Sequence, residues 1–164
     1  MGEEYLICDI MTRKPIAVSE ETSVYKITKE LQKHDISSIL VHEKVNPNVL
    51  VGIITLSDIV YKVIALAKDP KKILAEEIMS KEIISVKPND EINVAINLIN
   101  RYDIRRFPVI DEKGKLVGLV TLKDILRIEP EMIDKVYENL EVRELEDKIP
   151  GYKRKEYKTI FHGI

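Results

Sequence analysis

An internal repeat constrains this fold more than any other feature of the chain. Residues 51–59 read VGIITLSDI, and residues 117–125 read VGLVTLKDI, 66 positions later. The match extends upstream with an offset of 68, because 9–12 correspond to 77–80 and 35–41 to 103–109. A unit of about sixty residues buries only a marginal core alone, so the two units are expected to pack together. The predicted division is repeat 1 over 7–68, repeat 2 over 76–128, and a C-terminal helix with a basic tail over 129–164.

Both repeats carry strand and helix signals in one order, β-α-β-β-α, which predicts a mixed α/β (α+β) fold. In repeat 1 the predicted elements are a strand over 16–18, a helix from Thr22 or Ser23 to about His34, strands over 38–42 and 49–55, and a helix over 57–67. In repeat 2 they are a strand over 83–86, a helix over 90–101, strands over 107–111 and 116–121, and a helix over 123–128. An amphipathic pattern over 130–147 predicts one further helix.

Composition excludes several classes of protein. The 26 basic and 28 acidic residues nearly balance, so no global field favours nucleic acid or membrane partners. A single cysteine, Cys8, rules out an intrachain disulfide or a cysteine-based zinc site. No apolar run approaches the roughly 20 residues of a membrane helix, and no signal peptide opens the chain. We therefore expect a cytoplasmic protein without a metal site, and, since no catalytic constellation is recognisable, one that is not an enzyme.

Each repeat ends a strand with the pattern Gly-h-h-Thr-x-x-Asp, where h is apolar. The pattern places Thr55 with Asp58, and Thr121 with Asp124, at a strand-to-helix junction. One interpretation is a helix cap, because Thr-x-x-Asp resembles a capping box. The other is a ligand site, since a carboxylate there can accept hydrogen bonds from the two hydroxyls of a ribose. Recurrence of the pattern in register favours the second interpretation without excluding the first.

The ordered set of motifs resembles the CBS domain, and the tandem arrangement resembles a CBS pair, or Bateman module. The resemblance covers about residues 7–127. It rests on 10–12, 16–18, 36–39 and 52–58 in repeat 1, and on 78–80, 84–86, 104–109 and 118–124 in repeat 2.

The resemblance implies two repeats packed about a pseudo-twofold axis, with clefts that bind AMP, ADP or ATP as a regulatory ligand. S-adenosylmethionine is the alternative ligand, and no cofactor is required. In the first cleft the resemblance nominates Ile16, Ala17, Ile36, Ile39, Thr55, Ser57 and Asp58. In the second it nominates Ile84, Ser85, Ile104, Phe107, Thr121 and Asp124, and the adjoining Ser37, Ser38, Pro108 and Lys123 complete the candidate binding residues.

The two repeats differ where a phosphate would bind. Arg105 and Arg106 stand where repeat 1 has Ser37 and Ser38. In the regulatory gamma subunit of AMP-activated kinase, a basic pair at this position reaches phosphates, and guanidinium groups suit that role. The alternative is an exposed, solvated pair of charges. Lys123 also replaces Ser57, so the clefts are not expected to be equivalent, and at most one should bind strongly. The comparison of repeats does not tell which cleft receives the arginines, because the clefts share walls and a residue of one repeat can serve the other's ligand.

Partners are less constrained than the ligand. The resemblance implies a homodimer, for which we expect Ile59, Val63 and Ala67 to form the contact surface, and a separate effector protein. A competing hypothesis is an interaction or nucleic-acid-binding adaptor, because aromatic and basic residues interleave in the tail over 148–164. A solvated or disordered terminus is the favoured interpretation of that composition.

Overall fold

The computed structural model describes residues 5–128. The helix predicted over 130–147 and the basic tail lie outside this range. The first half contains α1 (Ile7–Ile10), β1 (Thr12–Arg13), β2 (Ala17–Ser19), α2 (Val24–His34), β3 (Ser38–His42), β4 (Leu50–Thr55) and α3 (Leu56–Ile59), which continues as a π-helical turn (Val60–Ile64). The second half contains α4 (Ala75–Ile78), α5 (Ile92–Tyr102), β5 (Arg106–Ile110), β6 (Leu116–Thr121) and α6 (Leu122–Ile128).

The strand predicted over 83–86 is wrong. Val86 makes a single parallel bridge to Val109, and residues 81–85 have no regular structure. In the first half, the Leu40 N–H extends the equivalent pairing by donating to the Ile16 carbonyl at 3.4 Å. The position equivalent to Leu40 is Pro108, which has no N–H to donate, so the strand cannot propagate.

The helical segment predicted over 57–67 is present, but it is not α-helical throughout. After four α-helical residues the chain widens into the π-helical turn, in which the Ala65 N–H donates to the carbonyl of Val60, five residues earlier, at 2.8 Å. The helical segment ends at Ala67, whose φ is 52°. Apolar periodicity over this segment does not distinguish α from π winding.

Each half contributes its lead-in segment to the other half. The two sheets have the orders β2-β3-β4 and β1-β6-β5, so β1 of the first half pairs with β6 of the second. Reciprocally, Ser80 bridges Ile53 in β4. Glycine makes both contacts possible, because Gly118 lies against Met11 and Gly52 lies against Met79. This reciprocal exchange joins the repeats as one would expect of a pseudo-twofold pair.

Each of the two hydrophobic cores likewise contains residues from the lead-in segment of the other half. In the first core, α2 buries Val24, Ile27 and Leu31, and α4 adds Ala75 and Ile78 from the second half. In the second core, α5 packs against β5 and β6, and Ile7 of α1 is fully buried among them. Burying one such side chain contributes about 1.5–3 kcal/mol, so neither half completes its core without the other.

The predicted dimer contact surface needs correction. Ile59 and Val63 belong to the first core, with 6% and 0% of their surface exposed. They face inward because the apolar face of a helix covers its own sheet first. Within residues 5–128, no helix has the length and apolar character needed to cross a membrane.

Candidate ligand-binding site

A cleft of about 880 Å³ lies between the two halves. Its volume falls within the range of roughly 300–1,000 Å³ typical of small-molecule sites. Both halves contribute to its wall, which consists of Thr12, Lys14, Pro15, Ile16, Asp35, Ile36, Ser37, Ser38, Leu40, Arg105, Arg106, Leu119, Thr121, Leu122, Lys123, Asp124, Leu126 and Arg127. The exchanged lead-in therefore places residues 12–16 beside the Thr-x-x-Asp pattern of the other repeat.

At the floor of the cleft, Thr121 and Asp124 form a capping box at the start of α6. Asp124 Oδ2 accepts from the Thr121 backbone N–H at 2.9 Å and from its hydroxyl at 2.6 Å, and Thr121 Oγ1 accepts from the Asp124 N–H at 3.3 Å. These bonds fix the carboxylate but use one of its two oxygens. Within residues 5–128, no protein group hydrogen-bonds Oδ1. The helix cap and a ligand site are therefore compatible at this position.

The same capping box recurs at Thr55 and Asp58, but there the second carboxylate oxygen is engaged. Asp58 Oδ2 accepts from the Thr55 N–H and hydroxyl, both at 2.8 Å, while Oδ1 lies 2.8 Å from Lys62 Nζ. Burial on its own raises the pKa of Asp58. The hydrogen bonds from Lys62 and Thr55 outweigh burial and hold the pKa below its usual range.

Arg106 crosses from one repeat to the other inside the cleft. Its guanidinium donates to Ser37 Oγ at 2.6 Å. Among the described residues, no carboxylate comes within ion-pair distance of it. Burial, and then the like charge of Arg105, lower the pKa of Arg106, although an arginine stays protonated in proteins. An unpaired, half-buried cation is costly to maintain, and an anionic ligand would stabilise it.

Cations outnumber carboxylates around the cleft. Lys14, Arg105, Arg106, Lys123 and Arg127 face two acidic residues, Asp35 and Asp124. Lys14 also has a φ of 55°, a left-handed conformation that costs a non-glycine residue roughly 1–2 kcal/mol. Such backbone strain is concentrated at functional positions in proteins.

The structure groups the nominated residues differently from the sequence prediction. Ile16, Ile36, Ser37 and Ser38 of repeat 1 line the same cleft as Arg105, Arg106, Thr121, Lys123 and Asp124 of repeat 2. Ile16 and Ile36, nominated together with Asp58, thus share a cleft with Asp124 of the other repeat. The reason is the exchange of lead-ins, which brings the entry segment of each repeat to the partner repeat's helix. Ala17, Thr55, Ser57, Asp58, Ile84, Ser85, Ile104 and Pro108 do not line this cleft.

Ile39 and Phe107 are wrong as ligand-contacting residues. They are 1% and 0% exposed and belong to the two cores. Successive side chains of a strand point to opposite faces. Ser38 and Leu40 line the cleft, so Ile39 between them faces the core, and Phe107 lies at the equivalent position of β5.

Sequence reasoning missed several lining residues, above all Lys14 and Arg127. Arg127 lies on α6 one helical turn beyond Lys123 and Asp124, so i to i+3 spacing could have identified it. Lys14 had no such signal, because its place in the cleft depends on the exchanged lead-in. Elsewhere, the structure holds no cluster of three metal-ligating side chains within residues 5–128.

Comparison with known proteins agrees with this architecture. The CBS domain family model matches residues 7–65 and again 75–131. Protein MK0525 of Methanopyrus kandleri is 38% identical over 133 residues, which are 80% of this chain and 64% of MK0525. The chain thus matches slightly less than two thirds of that relative.

Two further proteins share the paired repeats. The CBS domain pair of protein MJ0100, solved in complex with 5-methylthioadenosine and S-adenosyl-L-methionine, superposes with a TM-score of 0.66 at 32% identity, covering 77% of this chain and 96% of that one. Inosine-5'-monophosphate dehydrogenase of Korarchaeum cryptofilum is 33% identical over 76% of this chain, but over only 23% of the enzyme. With two family matches in register with the observed repeats, this chain belongs to the CBS domain family as a tandem CBS pair.

Proposed function

We propose that this protein is a non-catalytic regulatory module that binds an adenosine nucleotide, AMP, ADP or ATP, in the cleft between its CBS repeats. The observation that carries the proposal is the juxtaposition of Asp124 and Arg106. Asp124 Oδ1 is available to accept from ribose hydroxyls, and the Arg106 guanidinium has no carboxylate partner among the described residues. A carboxylate and a cation along one cleft suit the two polar ends of a nucleotide.

The apolar part of the cleft suits the base. Ile16, Ile36 and Leu119 line the same cleft and can pack against a flat ring. The MJ0100 pair binds two adenosine compounds, which supports an adenosine ligand here as well.

S-adenosylmethionine is the second candidate, because MJ0100 binds it. Charge favours the nucleotide. S-adenosylmethionine carries a sulfonium cation, which the surplus of lysine and arginine in this cleft would repel. Phosphate groups would gain from the same residues, and arginine can bind them with two parallel hydrogen bonds.

The decisive experiment compares Asp124→Ala with Asp58→Ala by isothermal titration with AMP and ATP. Losing a hydrogen bond to a charged group costs about 1.5–3 kcal/mol, which is a roughly 10- to 100-fold loss of affinity for Asp124→Ala. Asp58→Ala is the matched control, because it removes the same kind of capping box at a position outside this cleft. The Asp58→Ala variant should bind AMP and ATP with nearly wild-type affinity. Equal affinity of wild type and Asp124→Ala would refute the ribose assignment.

The homodimer also remains part of the proposal, with a corrected contact surface. Leu56, Val60, Tyr61, Ile64 and Leu66 are between 47% and 71% exposed, and they follow one another along α3, the π-helical turn and the residues just after it. Contiguous apolar surface of this kind is characteristic of interaction sites. Sedimentation equilibrium should give a dimer that Ile64→Glu converts to a monomer, and a monomeric wild type would contradict it.

A further inference from the structure

The two Thr-x-x-Asp sites of this chain differ in one contact. Lys62 Nζ lies 2.8 Å from Asp58 Oδ1 and also donates to the Ile78 carbonyl at 2.7 Å. Because Thr55 occupies Oδ2, both carboxylate oxygens of Asp58 already have partners. The Asp58 side chain is only 13% exposed, and the ammonium group occupies the carboxylate oxygen that a ligand would need.

The equivalent contact is missing from the second repeat for a reason visible in the sequence. The position that corresponds to Lys62, at the offset of 66, is Ile128, which ends α6. An isoleucine cannot donate to Asp124, so Oδ1 remains available there. The two capping boxes make the same hydrogen bonds, so the asymmetry arises beyond them, where a lysine in the π-helical turn follows Asp58 and an isoleucine at the end of α6 follows Asp124.

Charged residues around the two sites differ in the same direction. Glu82 stands at the position equivalent to Lys14, and Ser57 and Tyr61 stand at those equivalent to Lys123 and Arg127. The Asp58 side therefore lacks three of the cations that would hold phosphates, and it gains a carboxylate. A nucleotide displacing Lys62 would gain little in return.

We propose that Lys62 closes the adenosine site at Asp58, so that the chain has one working site, at Asp124. The inference rests on the proposed function for the identity of the ligand. A ligand entering at Asp58 would have to break the ion pair and leave the ammonium without the Ile78 carbonyl as well. The bond from Lys62 to the Ile78 carbonyl also ties the π-helical turn to the end of α4, just before Ser80 bridges β4, so a closed site helps to hold the second lead-in in place.

The test measures binding stoichiometry for AMP and for adenosine, which lacks phosphate, by isothermal titration. Wild type should bind one AMP per chain. Lys62→Met should add a second binding event, clearest with adenosine because Glu82 disfavours phosphate at that side. Lys62→Arg keeps a cation at the position and should leave one event. Lys33→Met, which removes an exposed lysine from the solvent face of α2, controls for loss of positive charge.

The reciprocal variant tests the mechanism in the other repeat. Ile128→Lys places an ammonium four residues after Asp124, as Lys62 follows Asp58. It should weaken AMP binding about 10- to 100-fold by occupying Oδ1. Unchanged AMP affinity in a folded Ile128→Lys variant would overturn the idea that a lysine at this position closes a site.

Other results separate the inference from the function on which it rests. Two AMP per wild-type chain, or no second event in Lys62→Met with either ligand, would overturn the closure. If wild type binds neither ligand, the proposed function fails, whereas an event gained by Lys62→Met would still support closure by Lys62. Circular dichroism establishes whether each variant is folded. If Lys62→Met is not folded, Lys62→Gln is used in its place.

Discussion

Replacing Gly52 with alanine tests the exchange of lead-in segments, on which the cleft depends. A Cβ at position 52 would lie 2.7 Å from Met79 Cγ and 2.9 Å from Met79 Cβ. Carbon atoms in favourable contact are about 3.5–4.0 Å apart. The far end of a methionine can swing aside, but its Cβ moves only with the backbone, so the segment around Met79 must shift.

The cost follows from two contributions. Forcing one extra carbon into a packed region costs about 1–3 kcal/mol. The shift also strains the neighbouring pair in which the Ile53 N–H donates to the Ser80 carbonyl at 3.1 Å and the Ser80 N–H donates to that of Ile53 at 2.9 Å. At about 1 kcal/mol per hydrogen bond, partial loss of these bonds brings the total to about 2–4 kcal/mol. The expected drop in Tm is roughly 5–15 °C.

Thermal unfolding followed by circular dichroism measures this drop. Gly114→Ala is the control, because Gly114 has a φ of +77° and no atom within 4 Å of its added Cβ. That variant should lose roughly 1 kcal/mol through backbone strain alone. Met79→Gly, which removes the Cβ itself, should rescue Gly52→Ala, so that the double variant is more stable than the sum of the single effects by more than about 1 kcal/mol. Strict additivity, or a Gly52→Ala variant as stable as Gly114→Ala, would refute the exchanged packing.

Two further predictions concern charge. Because the pKa of Asp58 is lowered in the folded protein, its ion pair should contribute full stability above the unfolded value of about 3.9 and lose it as pH falls through the lower folded value. Urea midpoints of wild type and Asp58→Asn should differ at pH 6 and converge near pH 2, and a constant difference would contradict this. Added salt should weaken binding of ATP more than that of adenosine, because it screens the cleft cations; equal salt dependence would argue against phosphate contacts.

Much of this fold could be predicted because its signals are local and occur twice. Helices α2 and α5 carry apolar residues at helical spacing, and both end at an aspartate in the left-handed conformation, Asp35 and Asp103. The hairpins β3–β4 and β5–β6 pair in the same register, with an irregularity at the same place in each. Local propensity and tertiary packing agree at these positions, and so the predicted elements are present.

The rest depends on contacts between distant residues. A proline in place of Leu40 removes one strand, and nothing in the pattern before Val86 reveals that loss. The exchange of lead-ins determines which side chains share the cleft, and it depends on Gly52 and Gly118 admitting a methionine from the other repeat. The role of Lys62 required the distance between its ammonium and Asp58. Comparing the two repeats identifies equivalent positions. It does not reveal which repeat supplies the lead-in residues of each ligand site.

Isothermal titration of the wild-type protein with AMP, ATP, S-adenosylmethionine and GTP under matched conditions tests directly whether this CBS pair binds adenosine nucleotides. We expect saturable binding of the adenosine nucleotides in a single event per chain, weaker binding of S-adenosylmethionine, and no binding of GTP. Equal binding of GTP and ATP, or no binding of any adenosine compound, would contradict this expectation.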